Sequence, residues 1–175
     1  MNKHAAALLT ALLIAGTSFF AYAIHENVKI PPELAGVGHY EKMPMPNGGD
    51  LRHYITSHLP YKKWAAWPGK EKMSRGTEPH GYYISVYIND KAVESLKSHM
   101  PMGNNSIVIK ENYNRKKELA AITVMYKVQG YNPEGGDWFW AKYDNKYNIL
   151  ADGKVKGCID CHSSAKDNDY IFTQN

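Results

Sequence analysis

Ile107-Val108-Ile109-Lys110-Glu111-Asn112-Tyr113-Asn114-Arg115-Lys116-Lys117-Glu118-Leu119-Ala120-Ala121-Ile122-Thr123-Val124-Met125-Tyr126-Lys127-Val128 is the stretch on which the fold turns. Its two ends are rich in β-branched and aromatic residues, which suit the half-buried surface of a sheet. The polar Asn114-Arg115-Lys116-Lys117 between them is a turn, too short for the helical crossover that parallel strands need. A loop with Gly130, Pro133, Gly135 and Gly136 then leads to another strand, Trp138 to Tyr143. Upstream, Tyr82 to Ile88 is a further β-branched and aromatic run, after which Asn89 caps a helix of about ten residues with Ala92, Val93 and Leu96 on one face. Short turns between the last three strands favour an antiparallel meander, so the fold class is α+β, an antiparallel β-sheet with a few helices. Before the sheet, Leu51, Tyr54, Ile55, His58 and Leu59 keep helical spacing until Pro60 interrupts it, and a shorter turn carries Trp64 and Trp67.

The start of the chain reads differently. Lys3 precedes an uncharged apolar stretch from Ala5 to Phe20, and Ala21-Tyr22-Ala23 is a small-x-small cleavage pattern. Residues 1–23 are therefore expected to be a signal peptide, removed on export to the periplasm, since the apolar stretch falls short of the roughly 20 residues of a spanning helix. The mature protein then has about 152 residues, one domain's worth, with no membrane span. Residues 24–50, with Pro31-Pro32, Pro44, Pro46 and Gly48-Gly49, read as an extended arm, and 51–175 as the folded domain. The formal net charge of +4 is scattered along the chain, which is not the balance of a nucleic-acid-binding protein.

The chain has only two cysteines, in Gly157-Cys158-Ile159-Asp160-Cys161-His162. A disulfide framework in an oxidising compartment would use more of them at wider spacing. In C-x-x-C-H, each thiol can add across one haem vinyl group while the following histidine reaches the iron, and one helical turn presents both sulfurs together. Structural zinc is a poorer reading, because it needs about four Cys or His ligands and no second pair stands at metal spacing. A thioredoxin-type pair would open a long helix of a βαβ unit, whereas only 13 residues follow His162. The motif points to one covalent haem c, with Cys158 and Cys161 as attachment sites and His162 as the proximal iron ligand.

Several segments together resemble a known family: Glu78-Pro79-His80-Gly81, Val86-Tyr87-Ile88-Asn89, Ile109-Lys110-Glu111-Asn112-Tyr113, Thr123-Val124-Met125-Tyr126-Lys127, Gly136-Asp137-Trp138-Phe139-Trp140, and Cys158 to His162 followed by Asp167-Asn168-Asp169-Tyr170. From roughly Tyr61 to Thr173 the chain is similar to the cytochrome P-460 family, which also includes the cytochromes c′-β. The resemblance implies an antiparallel sheet over one face of a pentacoordinate c-type haem, usually in a homodimer. Members either oxidise hydroxylamine and related nitrogen oxides, with a lysine bonded to the porphyrin edge, or bind nitric oxide or carbon monoxide without that bond.

Lys110 matches the crosslinking lysine by its place in the Ile-Lys-Glu strand. It shares a strand face with Val108 and Asn112, opposite Ile107, Ile109 and Glu111. Burial against haem would lower the amine's pKa toward nucleophilicity; a surface lysine on a solvated face is the competing reading. Where hydroxylamine-oxidising members carry a distal glutamate, this chain has Thr123 to Met125 and no carboxylate. His80 stands where relatives often have a distal phenylalanine, so it is a candidate hydrogen-bond donor or proton shuttle over the iron, or else a capping or surface histidine. Trp138, Phe139 and Trp140 read as core before they read as pocket lining.

Three functions follow. One is an enzyme oxidising hydroxylamine or nitric oxide at an open iron and passing electrons to a periplasmic electron-transfer protein. Another is a gas-binding protein without turnover. The third is a six-coordinate electron carrier with a methionine or histidine as second axial ligand, Met100 and Met102 being the obvious methionines.

Overall fold

The computed structural model describes residues 42–172. The expected signal peptide and the expected arm up to Glu41 lie outside them. Seven strands, β1 (Ala65–Ala66), β2 (Ser74–Arg75), β3 (Tyr83–Ile88), β4 (Ile107–Tyr113), β5 (Leu119–Lys127), β6 (Trp138–Asp144) and β7 (Ile149–Gly153), form one sheet in the order β1-β3-β4-β5-β6-β7, with β2 also paired to β3. Every pairing is antiparallel. Three α-helices accompany it: α1 (Gly48–His53), α2 (Asp90–Lys97) and α3 (Lys156–His162).

The α+β class and the β4-β5-β6 meander are as the sequence predicts. The 114–117 turn closes through the Lys117 N–H on the Asn114 carbonyl at 3.0 Å, while Asn114 Oδ1 accepts from the N–H of Lys116 and Glu118. Three expectations need correction. The first helix starts at Gly48 rather than Leu51, inside the expected arm, because Asn47 Oδ1 accepts the Asp50 N–H at 2.9 Å and caps it there. Its continuation, Tyr54–His58, is wound as a π turn before Pro60. The sheet also holds three strands that the sequence pattern does not mark: β1 and β2 are two residues each, and β7 is a short edge strand with exposed Ile149 and Leu150.

Side chains alternate across the pleat, so each strand feeds two cores. On one face Tyr87, Ile107, Ile109, Ile122, Val124, Tyr126, Phe139, Ala141 and Tyr143 pack with Leu51, Tyr54, Ile55 and Tyr61 from the α1 region. Fully burying such side chains stabilises the fold by about 1.5–3 kcal/mol each. Glu111 also lies on this face, completely buried. Its carboxylate accepts hydrogen bonds from the hydroxyls of Tyr61 and Tyr113, both at 2.7 Å, and pairs with Lys62. On the opposite face Ile88, Val108, Met125, Trp138 and Trp140 pack with Ala92 of α2, Met102, Tyr170 and Ile171, and with half-buried Cys158 and Ile159 of α3. The second face carries the candidate site.

Candidate functional site

α3 places Cys158, Cys161 and His162 at i, i+3 and i+4, so all three project from one side of a single helical turn. Cys158 is half-buried, Cys161 is exposed and neither forms a disulfide. Burial pushes the Cys158 thiol up, with Lys142 pulling the other way. His162 is buried, and its Nδ1 lies 2.7 Å from the Tyr170 carbonyl. A carbonyl only accepts, so Nδ1 carries the proton and Nε2 keeps its lone pair, the form in which imidazole binds a metal.

The segment after α3 exists to make that bond. Asp169 and Tyr170 both adopt left-handed backbone, which turns the chain back toward the helix. Asp169 is fastened at several points: its carboxylate accepts from the Met102 N–H and pairs with Lys127, and its carbonyl accepts from Trp138 Nε1 at 2.9 Å. The Tyr170 hydroxyl donates to the Glu134 carbonyl, and its ring lies so close to Gly136 that a Cβ there would sit 2.7 Å from it. Gly136, at φ +67°, is thus required both by its conformation and by this contact.

His80 comes to the same place from the other end of the sheet. The Gly76–Gly81 loop lies against β4 so tightly that a Cβ on Gly81 would meet the Tyr113 nitrogen at 2.4 Å. That approach sets His80 Nδ1 3.0 Å from Asn112 Oδ1, which also accepts the Gly81 N–H at 3.2 Å. The rings of His80 and His162 are neighbours, with centroids 6.2 Å apart and planes crossed at 87°. His80 is pushed down to about 4, chiefly by burial and then by Lys110, so its imidazole is neutral near pH 7.

Lys110 belongs to a row of paired residues running across the sheet, Val86-Lys110-Thr123-Lys142-Ala151. Burial, reinforced by Lys70, brings its amine down to about 8; Cys161 acts in the opposite sense, an effect that vanishes if that sulfur becomes a thioether. Lys110 also contributes to the lowered pKa values of His80 and His162. So His80, Lys110, Cys158, Cys161 and His162 gather on one face of the sheet. Thr123 stands between the two lysines, and no carboxylate replaces it.

Of the aromatic run, only Trp140 adjoins the site, its ring 4.8 Å from that of His162. Trp138 holds the turn at Asp169, and Phe139 belongs to the opposite core. Met100 is 64% exposed and Met102 is buried in the site-side core. Glu111 is on the wrong face, and Glu118 pairs with Asn114 at the exposed β4-β5 turn. Sequence reasoning missed Asn112 as the partner of His80, Lys142 and the orienting carbonyl of Tyr170. Asn112 had a signal in sharing a strand face with Lys110; a backbone carbonyl has none.

These residues fit a haem. Two free thiols, an imidazole with Nε2 unprotonated and a flanking apolar cluster are the donor set that such a group needs. Among the described residues, Trp140 Nε1, buried beside His162, has no hydrogen-bond partner and is a donor left over for an added acceptor. Among the described residues no group of three or more His, Cys, Asp or Glu converges on a common point.

An antiparallel α+β fold with this donor set on one sheet face defines a c-type haem protein. The family model for cytochrome P460 matches residues 60–173, and the chain belongs to that family, whose proteins carry a covalently bound c-type haem. No curated protein matches the chain.

Proposed function

We propose that the protein is an exported mono-haem cytochrome that binds and oxidises small nitrogen oxides of the hydroxylamine class. Cys158 and Cys161 hold the haem through thioethers, His162 Nε2 is the proximal ligand, and the bound haem supplies an iron able to accept electrons from the substrate. The observation that carries this reading is the neutral imidazole of His80 next to that of His162. Oxidising hydroxylamine requires that protons be taken from it, and an unprotonated Nε2 beside the iron is a proton acceptor where Thr123 offers none. Lys110, on the same sheet face as the thiols, would be the residue to bond the porphyrin, since burial brings its amine down to about 8 and leaves part of it neutral as a nucleophile. A bond from its Nζ to a porphyrin carbon, formed with a two-electron oxidant of the peroxide class that takes up the two electrons and two protons lost from the N–H and C–H, would leave a holoprotein two hydrogens lighter than the bis-thioether adduct.

The missing carboxylate at Thr123 favours a second reading, gas binding without turnover. Export after Ala23 puts the protein in the periplasm, where an electron-transfer protein takes its electrons. Among the described residues no helix is long and apolar enough to cross a membrane. A homodimer is the expected assembly.

Purified holoprotein given hydroxylamine and an artificial electron acceptor should consume both, and His80→Ala should lower the rate by about 10²-fold or more, the usual contribution of a positioned general base. Binding of nitric oxide with no consumption of hydroxylamine would replace this reading with the second. Intact mass reports the haem and any Lys110 bond in the same sample; Lys110→Ala should abolish the loss of two hydrogens.

A further inference from the structure

We propose that His80 is itself an iron ligand in the resting protein, occupying the axial position opposite His162, and that a small ligand reaches the iron by displacing it. The proposal rests on the haem-binding reading above and goes beyond it in assigning the sixth coordination position.

Asn112 fixes the chemical form of His80. The Asn112 amide nitrogen donates to the carbonyls of Lys110 at 3.0 Å and Ala121 at 3.2 Å, and to Thr123 Oγ1 at 3.3 Å. Turning the amide over would set its oxygen against two carbonyls, so the assignment is determined by its surroundings. Its oxygen therefore faces His80 Nδ1, which must donate, and the lone pair of His80 resides on Nε2. His162 has the same arrangement through Tyr170. Each ring is thus held at Nδ1 by a fixed acceptor, the second-sphere contact that orients metal-bound histidines.

The separation suits a shared metal. Imidazole nitrogens bind first-row metals at about 2.0–2.1 Å, and a ring centre lies about 1.1 Å beyond its nitrogen, so two rings sharing one ion have centroids about 6.3 Å apart. The observed value is 6.2 Å. The planes stand at 87° to each other, the crossed arrangement that two axial imidazoles can adopt. Both rings are anchored by different parts of the chain, one by β4 and one by the C-terminal turn, so the arrangement does not depend on a single flexible loop.

Three consequences can be read on the holoprotein, with haem content taken from intact mass on the same samples. The wild-type ferric and ferrous spectra should be low-spin, and the ferric electron paramagnetic resonance spectrum should show the single large-g feature of crossed imidazole planes. His80→Ala, and His80→Phe as a variant that keeps the ring volume, should turn high-spin with haem mass unchanged, and added imidazole should return His80→Ala to low spin. Carbon monoxide should bind the reduced wild type at least about tenfold more weakly than His80→Ala, because only the fraction with His80 displaced can take it. Asn112→Ala should raise the high-spin fraction, as a positioning residue would. A wild-type protein that carries its thioether-bound haem yet is high-spin overturns the proposal and leaves the haem reading intact. Low spin that persists in both His80 variants overturns it equally, by pointing to another ligand such as Met102 or Lys110.

Discussion

Glu111 shows how one residue's environment can decide its charge. Burial raises its carboxyl, but hydrogen bonds from Lys62, Tyr61 and Tyr113 outweigh that and leave it below the ordinary carboxylate range. A carboxylate whose folded pKa is depressed stabilises the fold fully above its unfolded value, about 4.3, and the contribution is lost as pH falls through the lower folded value. Thermal unfolding followed from neutral to acid pH should therefore show a steeper acid loss in wild type than in Glu111→Gln. Glu111→Ala, which takes an acceptor from the Tyr61 and Tyr113 hydroxyls and from Lys62, should cost about 2–4 kcal/mol at pH 7. An unfolding curve unchanged within error would show that the buried carboxylate contributes nothing net. The same residue marks a limit of sequence reading. That Glu111 and Lys110 face opposite ways follows from the pleat, whereas which face meets the cofactor depends on where α3 docks, and no local pattern encodes that.

Among the elements, α2 depends on an asparagine that also serves the sheet. Asn89 Oδ1 accepts the Ala92 N–H, capping the helix, and the Ile107 N–H at 2.9 Å, tying it to the start of β4; its amide nitrogen donates to the Asn105 carbonyl at 2.8 Å. An ordinary cap is worth about 1 kcal/mol. Here Asn89→Ala should cost about 2–3 kcal/mol in denaturant melts, because buried backbone groups of two elements lose their partners, and Asn89→Asp should cost less by keeping the acceptor. Equal losses in the two variants would show that the acceptor role is not what matters. Asn89 is legible as a cap because Asn before an apolar-periodic run is a local signal. The β4-β5 hairpin is legible for the same reason. β1 and β2 are not, being pinned by pairing to β3 across residues distant in sequence, and β7 is short and exposed. The motif at Cys158 to His162 is legible because its chemistry is contiguous; the His80-Asn112 pair is not, since the contact is made across 32 positions by the close approach at Gly81.

At the scale of the molecule, β7 ends the sheet with Ile149 at 43% and Leu150 at 56% exposure on an open edge. An apolar free edge is a template for pairing, and a second copy is the partner that a self-complementary edge most readily accepts. Leu150→Lys should shift sedimentation from dimer to monomer with haem content unchanged; a wild type that sediments as a monomer at micromolar concentration would remove this role for β7. The two cores differ in what they wait for. The tyrosine-lined one is built from residues no later in the chain than Tyr147, while the thiols lie on a short, largely open helix made afterwards. Construction of the scaffold is thereby separated from installation of the pigment: the tyrosine-lined core closes without any of the side chains that bear the porphyrin.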